Sequence, residues 1–217
     1  MPNQSRFGAS IADGVGINNS EHHKNRWRFV FRRPQQIMDI TIDERKFSLR
    51  NEYDIQAPAN DYFAQKKFFS FTNQIEVRAT GGEALANLES HWSLFRLNYD
   101  FIFTTGQFYS FRCVKVWKGV YSCEGSGQSL TVYQHKGLKW SVFDGVTQIA
   151  AFTKNRVVVG NGNHYEIRID REANHLLVIC MVLALSTSDD QDNSTITYDA
   201  GNIGPEDRPF DESWEPN

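Results

Sequence analysis

The sequence has few cysteines, no apolar run long enough to span a bilayer and little net charge, and each of these shortages excludes some classes of protein. Its three cysteines, Cys113, Cys123 and Cys180, form an odd set without metal-site spacing, which fits a reducing compartment. The amino terminus is polar and contains no stretch that could serve as a secretory signal. We therefore expect a cytoplasmic protein that is at most peripheral at a membrane.

Recognisable catalytic and cofactor motifs are also missing. The six histidines never fall in an H-E-x-x-H or C-x-x-C setting, no phosphate-cradling glycine loop precedes a helix, and no serine sits in a nucleophile elbow. We expect no catalytic residue, no metal site and no cofactor. An enzyme is the most distant alternative, because it would need a pocket that joins a buried carboxylate to a histidine.

Charge is spread unevenly along the chain, although the formal net charge is only -3. Residues 1–36 carry six Lys or Arg against two acids, whereas residues 189–217 carry nine acids and one Arg. We predict a partly ordered basic arm over 1–36 and a flexible acidic tail over 189–217, flanking a neutral body. The sequence leaves open whether the aromatic residues of the tail dock on that body or on a partner.

One apolar run, "HLLVICMVLALS" (175–186), breaks the alternation seen elsewhere. Its ten consecutive apolar residues rise about 15 Å as a helix, roughly half the ~30 Å hydrocarbon thickness of a bilayer. We predict a helix over about 171–187 with Asp170 as its N-cap, enclosed on every side because it has no polar stripe. A central β-strand is the alternative reading of the same run.

A repeated strand unit supplies the enclosure. The phrases "KFSLRNEYDI" (46–55), "KFFSFTNQIEV" (67–77) and "HWSLFRLNYDFI" (91–102) align on Ser48, Ser70 and Ser93, a hairpin-sized spacing. Further alternating runs cover 38–42, 62–65, 108–117, 129–133, 140–143, 149–152, 156–159 and 165–169. We predict a mainly β protein: a closed antiparallel barrel of about twelve strands around one C-terminal hydrophobic core helix.

This pattern resembles the tubby C-terminal-like superfamily, which contains tubby domains, plant LURP-one-related proteins and phospholipid scramblases. The "F-S-L" strand units and "YEIRIDREANHLLVICMVLALS" are similar to the LURP-one-related group over residues 37–188. The resemblance implies phosphoinositide headgroup binding by basic barrel residues for tubby domains, and membrane association for scramblases. The chain lacks the cysteine-rich and calcium-binding segments of scramblases, so scramblase-like lipid handling is a distant alternative.

Basic residues are the candidate ligands for anionic lipid. In "RWRFVFRR" (26–33), strand geometry would place arginines on one face and aromatic residues on the other. A second basic set could extend this patch if its strands are neighbours. The alternatives are an edge strand whose arginines discourage aggregation or pair with the acidic tail for the first set, and ordinary solvated faces for the second. The candidates are Arg26, Arg28, Arg32, Lys66, Lys67, Arg112, Lys115 and Lys118.

Two functions of different class follow. The first is a non-catalytic intracellular tubby-like barrel that binds an anionic membrane lipid, with a phosphoinositide-like headgroup, through outer basic residues. The second is a protein-interaction or scaffold barrel that uses the acidic tail. Nucleic acid ranks below lipid because the whole domain is not basic and shows no stacking-platform motif. The oligomeric state is open.

Overall fold

Short runs of alternating apolar and polar residues form the strands of the protein. The computed structural model describes residues 38–47, 50–67, 74–91, 97–156, 162–191 and 207–217. The strands are β1 (Met38–Phe47), β2 (Arg50–Gln56), β3 (Tyr62–Lys66), β4 (Gln74–Ala79), β5 (Ala84–Ser90), β6 (Asn98–Phe103), β7 (Phe108–Lys115), β8 (Val120–Gly125), β9 (Gln128–His135), β10 (Lys139–Asp144), β11 (Thr147–Arg156) and β12 (Asn163–Ile169), and the helix is α1 (His175–Gln191).

The strands close into one antiparallel barrel. Each strand pairs with the next along the chain, and β1 closes the ring by pairing with β12, with Ile40 opposite Ile167 and Ile42 opposite Tyr165. Because alternate side chains of a strand point to opposite faces, these residues face one lumen and are fully buried there. The closed barrel that the sequence predicts is confirmed.

Helix α1 fills the lumen. Residues 177–187 are all buried, whichever way their side chains point, and 177–185 share one core with the inward-facing residues of the strands. Burial of each large apolar side chain contributes about 1.5–3 kcal/mol, which accounts for an apolar run without a polar face. Within the described ranges, no helix is long and apolar enough to cross a membrane.

The helix begins later than predicted, and Asp170 is not its N-cap. The side-chain oxygen of Asn174 accepts a hydrogen bond of 3.1 Å from the Leu177 backbone N–H, which makes Asn174 the capping residue. Asp170 closes the preceding turn instead, where its carbonyl accepts from the Ala173 N–H. An N-cap side-chain oxygen accepts from the backbone N–H two or three residues later, and Asn174 has that spacing to the first buried turn.

The polar end of the helix is also hydrogen-bonded inside the barrel. The Ser186 hydroxyl donates to the Tyr53 hydroxyl of β2 at 3.2 Å, and the Thr187 and Tyr99 hydroxyls share a hydrogen bond of 2.7 Å. Burial raises the pKa of Tyr99 above its ordinary value. The helix continues past the predicted end at 187 as far as Gln191.

Strands β5 and β8 are absent from the predicted alternating runs. The β5 segment "ALANLES" is rich in residues that favour helix, and its pairing with β4 and β6 overrides that local preference. The run predicted over 149–152 belongs to the longer strand β11. The run predicted over 156–159 extends beyond the described residues, and the three aligned serines lie outside them.

Candidate functional site

Positive charge is concentrated at one end of the barrel. The strands alternate in direction, so the β12–α1 connection lies at one end, the helix-entry end, and the β7–β8 and β9–β10 connections lie at the other, the far end. Among the described residues, the bases within four residues of a far-end connection are Arg45, Lys46, Arg50, Lys66, Lys67, Arg112, Lys115, Lys118, Lys136, Lys139, Lys154 and Arg156. The acids there are Glu44, Glu52, Glu76, Glu89, Asp100 and Glu166; helix α1 ends at this same end with Asp189 and Asp190, and the C-terminal segment adds Asp207 and Glu212. At the helix-entry end, the bases within four residues of a connection are fewer. Among the described residues they are Arg78, Arg168 and Arg171.

The β7–β8 turn (residues 114–118) joins basic and apolar side chains at the far end. After an irregularity in pairing between Cys113 and Lys115, the chain makes a 3-10 turn over Val116–Lys118. Gly119 ends this turn with a left-handed φ of 58°, and a Cβ there would lie 2.5 Å from the Gln134 Cβ. Glycine is therefore required for β8 to start beside β9.

The C-terminal segment (residues 207–217) contacts these lysines. The Lys115 ammonium donates to the Asp207 carboxylate at 2.5 Å, and the Lys118 ammonium lies 3.4 Å from the same carboxylate. These hydrogen bonds and charges lower the pKa of Asp207 and raise the pKa of Lys115. Further along the segment, Glu212 accepts a hydrogen bond from Lys139.

The same segment covers the outer wall of β9 and β10. The Arg208 guanidinium stacks 3.9 Å from the centre of the Phe143 ring, and the Phe210 ring lies 5.1 Å from the ring of His135. Both His135 and Phe143 are buried, although alternation along their strands points them outward. Residues 207–217 of the tail therefore dock on the barrel. The sequence had left open whether the tail docks there.

Arg112 is held by the barrel itself. Its guanidinium donates to the Asp100 carboxylate at 2.8 Å and to the Tyr99 carbonyl at 2.7 Å, and His91 binds the second Asp100 oxygen at 2.6 Å. Burial alone would raise the pKa of Asp100, but the hydrogen bonds and charges of Arg112 and His91 outweigh it and lower the pKa. Arg112 thus has a structural ion pair across β6 and β7.

Lys66 and Lys67 lie at the far end but on another part of the wall. The Lys67 ammonium donates to the Asn87 side-chain oxygen at 3.4 Å on the outer face, whereas Lys66 lies on the same side of β3 as buried Ala64. Strand β3 is four steps around the barrel from β7, about 19 Å at ~4.8 Å per strand. Arg112, Lys115 and Lys118 lie on β7 and the turn that follows it, whereas Lys66 and Lys67 lie at the end of β3, apart from them.

Three candidate lipid-binding residues lie outside the described part of the chain, and two lysines near the β7–β8 turn were not predicted from the sequence. Arg26, Arg28 and Arg32 lie outside the described residues. Lys136 and Lys139 flank the β9–β10 connection beside the β7–β8 turn, yet they were not among the candidates. The β8–β9 pairing places the β9–β10 connection beside the β7–β8 turn, and the sequence carries no signal for this because β8 was not among the predicted runs.

Comparison with known proteins gives a family for this arrangement. A family model described as LURP-one-related matches residues 38–186, from the first residue of β1 to the buried part of α1. The chain belongs to the LURP-one-related family. This LURP-one-related barrel is thereby a member of the tubby-like superfamily, as the resemblance in the sequence implies. No curated protein and no solved structure matches the chain.

Membership of the LURP-one-related family covers the barrel and the helix. The match ends at residue 186, so the C-terminal segment that binds Lys115 and Lys139 lies outside it. The family assignment therefore describes the scaffold, and the charge distribution at the far end has to be interpreted from the residues of this chain.

Proposed function

We propose that this LURP-one-related barrel is a non-catalytic intracellular module that binds anionic membrane lipid through its far end. The observation that carries the proposal is the concentration of bases at the far end, opposite the point where the helix enters. A flat membrane can meet one end of a barrel at once, so bases from several connections act together on the same surface.

The strength of such binding comes mainly from long-range attraction. Each Lys or Arg near an anionic surface contributes about 1 kcal/mol, and the attraction is screened beyond about 10 Å at 0.1 M salt. Lys115 and Lys118 both contact the carboxylate of Asp207, so a lipid phosphate would have to displace or share that acid. Arg112 is committed to Asp100 and serves mainly the barrel.

Vesicle sedimentation tests the proposal. We expect binding to vesicles that contain phosphatidylserine or a phosphoinositide, no binding to phosphatidylcholine alone, and a steep loss of affinity as salt rises. Phosphatidylserine and phosphoinositide vesicles of equal surface charge should then be compared. Tighter binding to phosphoinositide would indicate headgroup recognition, and equal binding would indicate a general response to charge.

A pair of double variants localises the surface. Lys115→Gln with Lys118→Gln should weaken binding about tenfold at low salt, since two charges of about 1 kcal/mol each are lost and Asp207 offsets part of them. Arg168→Gln with Arg171→Gln removes the same charge at the helix-entry end and should change little. Equal losses from both pairs, or indifference of the parent protein to anionic lipid, would exclude the far end as the binding surface.

The second candidate is a scaffold that uses the acidic tail. It is supported by the contacts of the C-terminal segment, whose acidic and aromatic side chains pack against the wall of β9 and β10. A chain ending at residue 206 should then bind a synthetic 207–217 peptide in fluorescence anisotropy. If the peptide does not bind, the wall has no affinity for such segments from other chains.

A further inference from the structure

Exposed apolar side chains gather in the β7–β8 turn. In the described part of the chain, the large apolar residues with the greatest exposure at the far end are Val114, Val116 and Trp117, which are 54%, 42% and 72% exposed. The other exposed large apolar residues, Ile102, Phe108 and Val146, lie at the β6–β7 and β10–β11 connections of the helix-entry end. A run of four residues therefore carries the apolar surface of the basic end.

The turn is held in place by the barrel. The Cys113 N–H donates to the Leu97 carbonyl at 2.9 Å before the turn, and the Gln134 N–H donates to the Gly119 carbonyl at 2.8 Å after it. The 3-10 turn lies between these two anchors. The exposure of Trp117 thus belongs to a defined conformation, and presenting it to a partner requires little further ordering.

Lysines bracket the apolar side chains. Lys115 precedes Val116, Lys118 follows Trp117, and both ammonium groups stay near the surface beside Asp207. Tryptophan has an apolar ring with one polar N–H, which suits the boundary between lipid headgroups and hydrocarbon. Lysines at the edge of such a segment can contact phosphates while the apolar side chains enter the boundary layer.

We propose that the β7–β8 turn is the element that enters an anionic bilayer, with Trp117, Val114 and Val116 in the interfacial layer and Lys115 and Lys118 on lipid phosphates. This inference rests on the proposed function and adds an insertion point to its electrostatic surface. Anionic lipid is favoured over a second copy of the chain because a two-fold dimer would bring like-charged lysines together, and the surface of a five-residue turn is far smaller than the ~800 Å² per partner of a stable interface.

Trp117→Ala is the direct test. With phosphatidylcholine–phosphatidylserine vesicles, the substitution should weaken binding about tenfold, the loss expected when one large apolar side chain no longer enters the interface. Val146→Ser is the matched control, since Val146 is 85% exposed but lies at the helix-entry end, and it should bind as the parent does. Thermal unfolding of each variant checks that exposed positions were changed without loss of fold.

Tryptophan fluorescence supplies a second measurement, because quenching by lipid acyl chains reports insertion and not electrostatic attachment alone. Vesicles with brominated acyl chains should quench tryptophan emission of the bound parent protein, and this quenching should be largely absent in Trp117→Phe. Val114→Ser with Val116→Ser should reduce the quenching while Trp117 is still present. Undiminished quenching in Trp117→Phe would show that another tryptophan enters the bilayer and would overturn the assignment.

The possible failures are distinguishable. If the parent protein ignores anionic vesicles, the proposed function itself fails. If it binds and depends on Lys115 and Lys118 but not on Trp117, the lipid function stands and the insertion point is wrong. If analytical ultracentrifugation gives a dimer for the parent and a monomer for Trp117→Ala, the turn is an interface between copies, which also overturns the inference.

Discussion

The Asp207 carboxylate accepts a hydrogen bond of 2.5 Å from the Lys115 ammonium, across 92 residues of sequence. The same carboxylate lies 3.4 Å from Lys118, so one acid of the C-terminal segment serves both lysines of the β7–β8 turn. If the far end binds anionic lipid as proposed, a lipid phosphate and the Asp207 carboxylate compete for the same two ammonium groups.

Asp207→Asn should therefore increase binding to anionic vesicles. Removal of one negative charge beside the two lysines should raise the affinity about fivefold at low salt and much less at 0.5 M salt, because screening weakens the effect. Sedimentation at both salt concentrations measures the change. Glu215→Gln removes the same charge elsewhere in the segment, and an equal gain from that variant would show that net charge, not the Lys115 contact, controls affinity.

Arg112→Gln should reduce stability and leave lipid binding nearly unchanged. Loss of the hydrogen bonds to Asp100 and the Tyr99 carbonyl should cost about 1 kcal/mol of unfolding free energy for this half-exposed pair, measured by urea denaturation. The pKa of Asp100 is lowered in the folded protein, so its contribution is present at neutral pH and disappears as the pH falls below about 4.

The difference between parent and Arg112→Gln should consequently shrink in acid. Arg171→Gln, on the exposed β12–α1 connection, is the control and should match the parent at both pH values. A loss of vesicle affinity in Arg112→Gln as large as in the Lys115 and Lys118 double variant would place Arg112 in the lipid surface instead.

Leu183→Ala should strongly destabilise the barrel. Leu183 is fully buried in the lumen, and truncation of such a side chain costs about 2–5 kcal/mol because a cavity remains. Leu176→Ala, at the half-buried start of the helix, should cost clearly less. Urea denaturation of both variants gives the comparison, and equal losses would argue against a tightly enclosed helix.

The three cysteines should differ in their reactivity toward a thiol reagent. Cys123 and Cys180 are buried, and burial raises the pKa of Cys123 to about 12 and the pKa of Cys180 further still, so neither forms the reactive thiolate at pH 8. Cys113 is partly exposed. Ellman's reagent should label one thiol in the native protein and all three in denaturant, and Cys113→Ser should abolish the native signal. Rapid labelling of all three in the native state would contradict this burial.

Local sequence patterns predict a strand well where its residues alternate regularly between apolar and polar. The apolar residues of β1 and β12 alternate cleanly, and the unbroken row from Leu176 to Leu185 has to be enclosed, so strands and helix are both predictable. Strand β5 could not be predicted because its composition favours helix and its strand conformation depends on β4 and β6. The N-cap was misplaced because Asp170 and Asn174 are both acceptable capping residues in sequence.

The candidate surface was predicted in part. Lys115 and Lys118 are neighbours in sequence and stay together, but the separation of Lys67 from them follows from the order of strands around the barrel, which no local pattern encodes.

By itself, the sequence determined that a row of apolar residues must be enclosed by alternating strands, because burial of apolar surface depends on the order of residue types along the chain. The tertiary structure alone decided that bases from several connections share one end and that Asp207 meets Lys115. Those contacts join residues far apart in the chain, so they exist only after the barrel has closed and set which ends of the strands lie together.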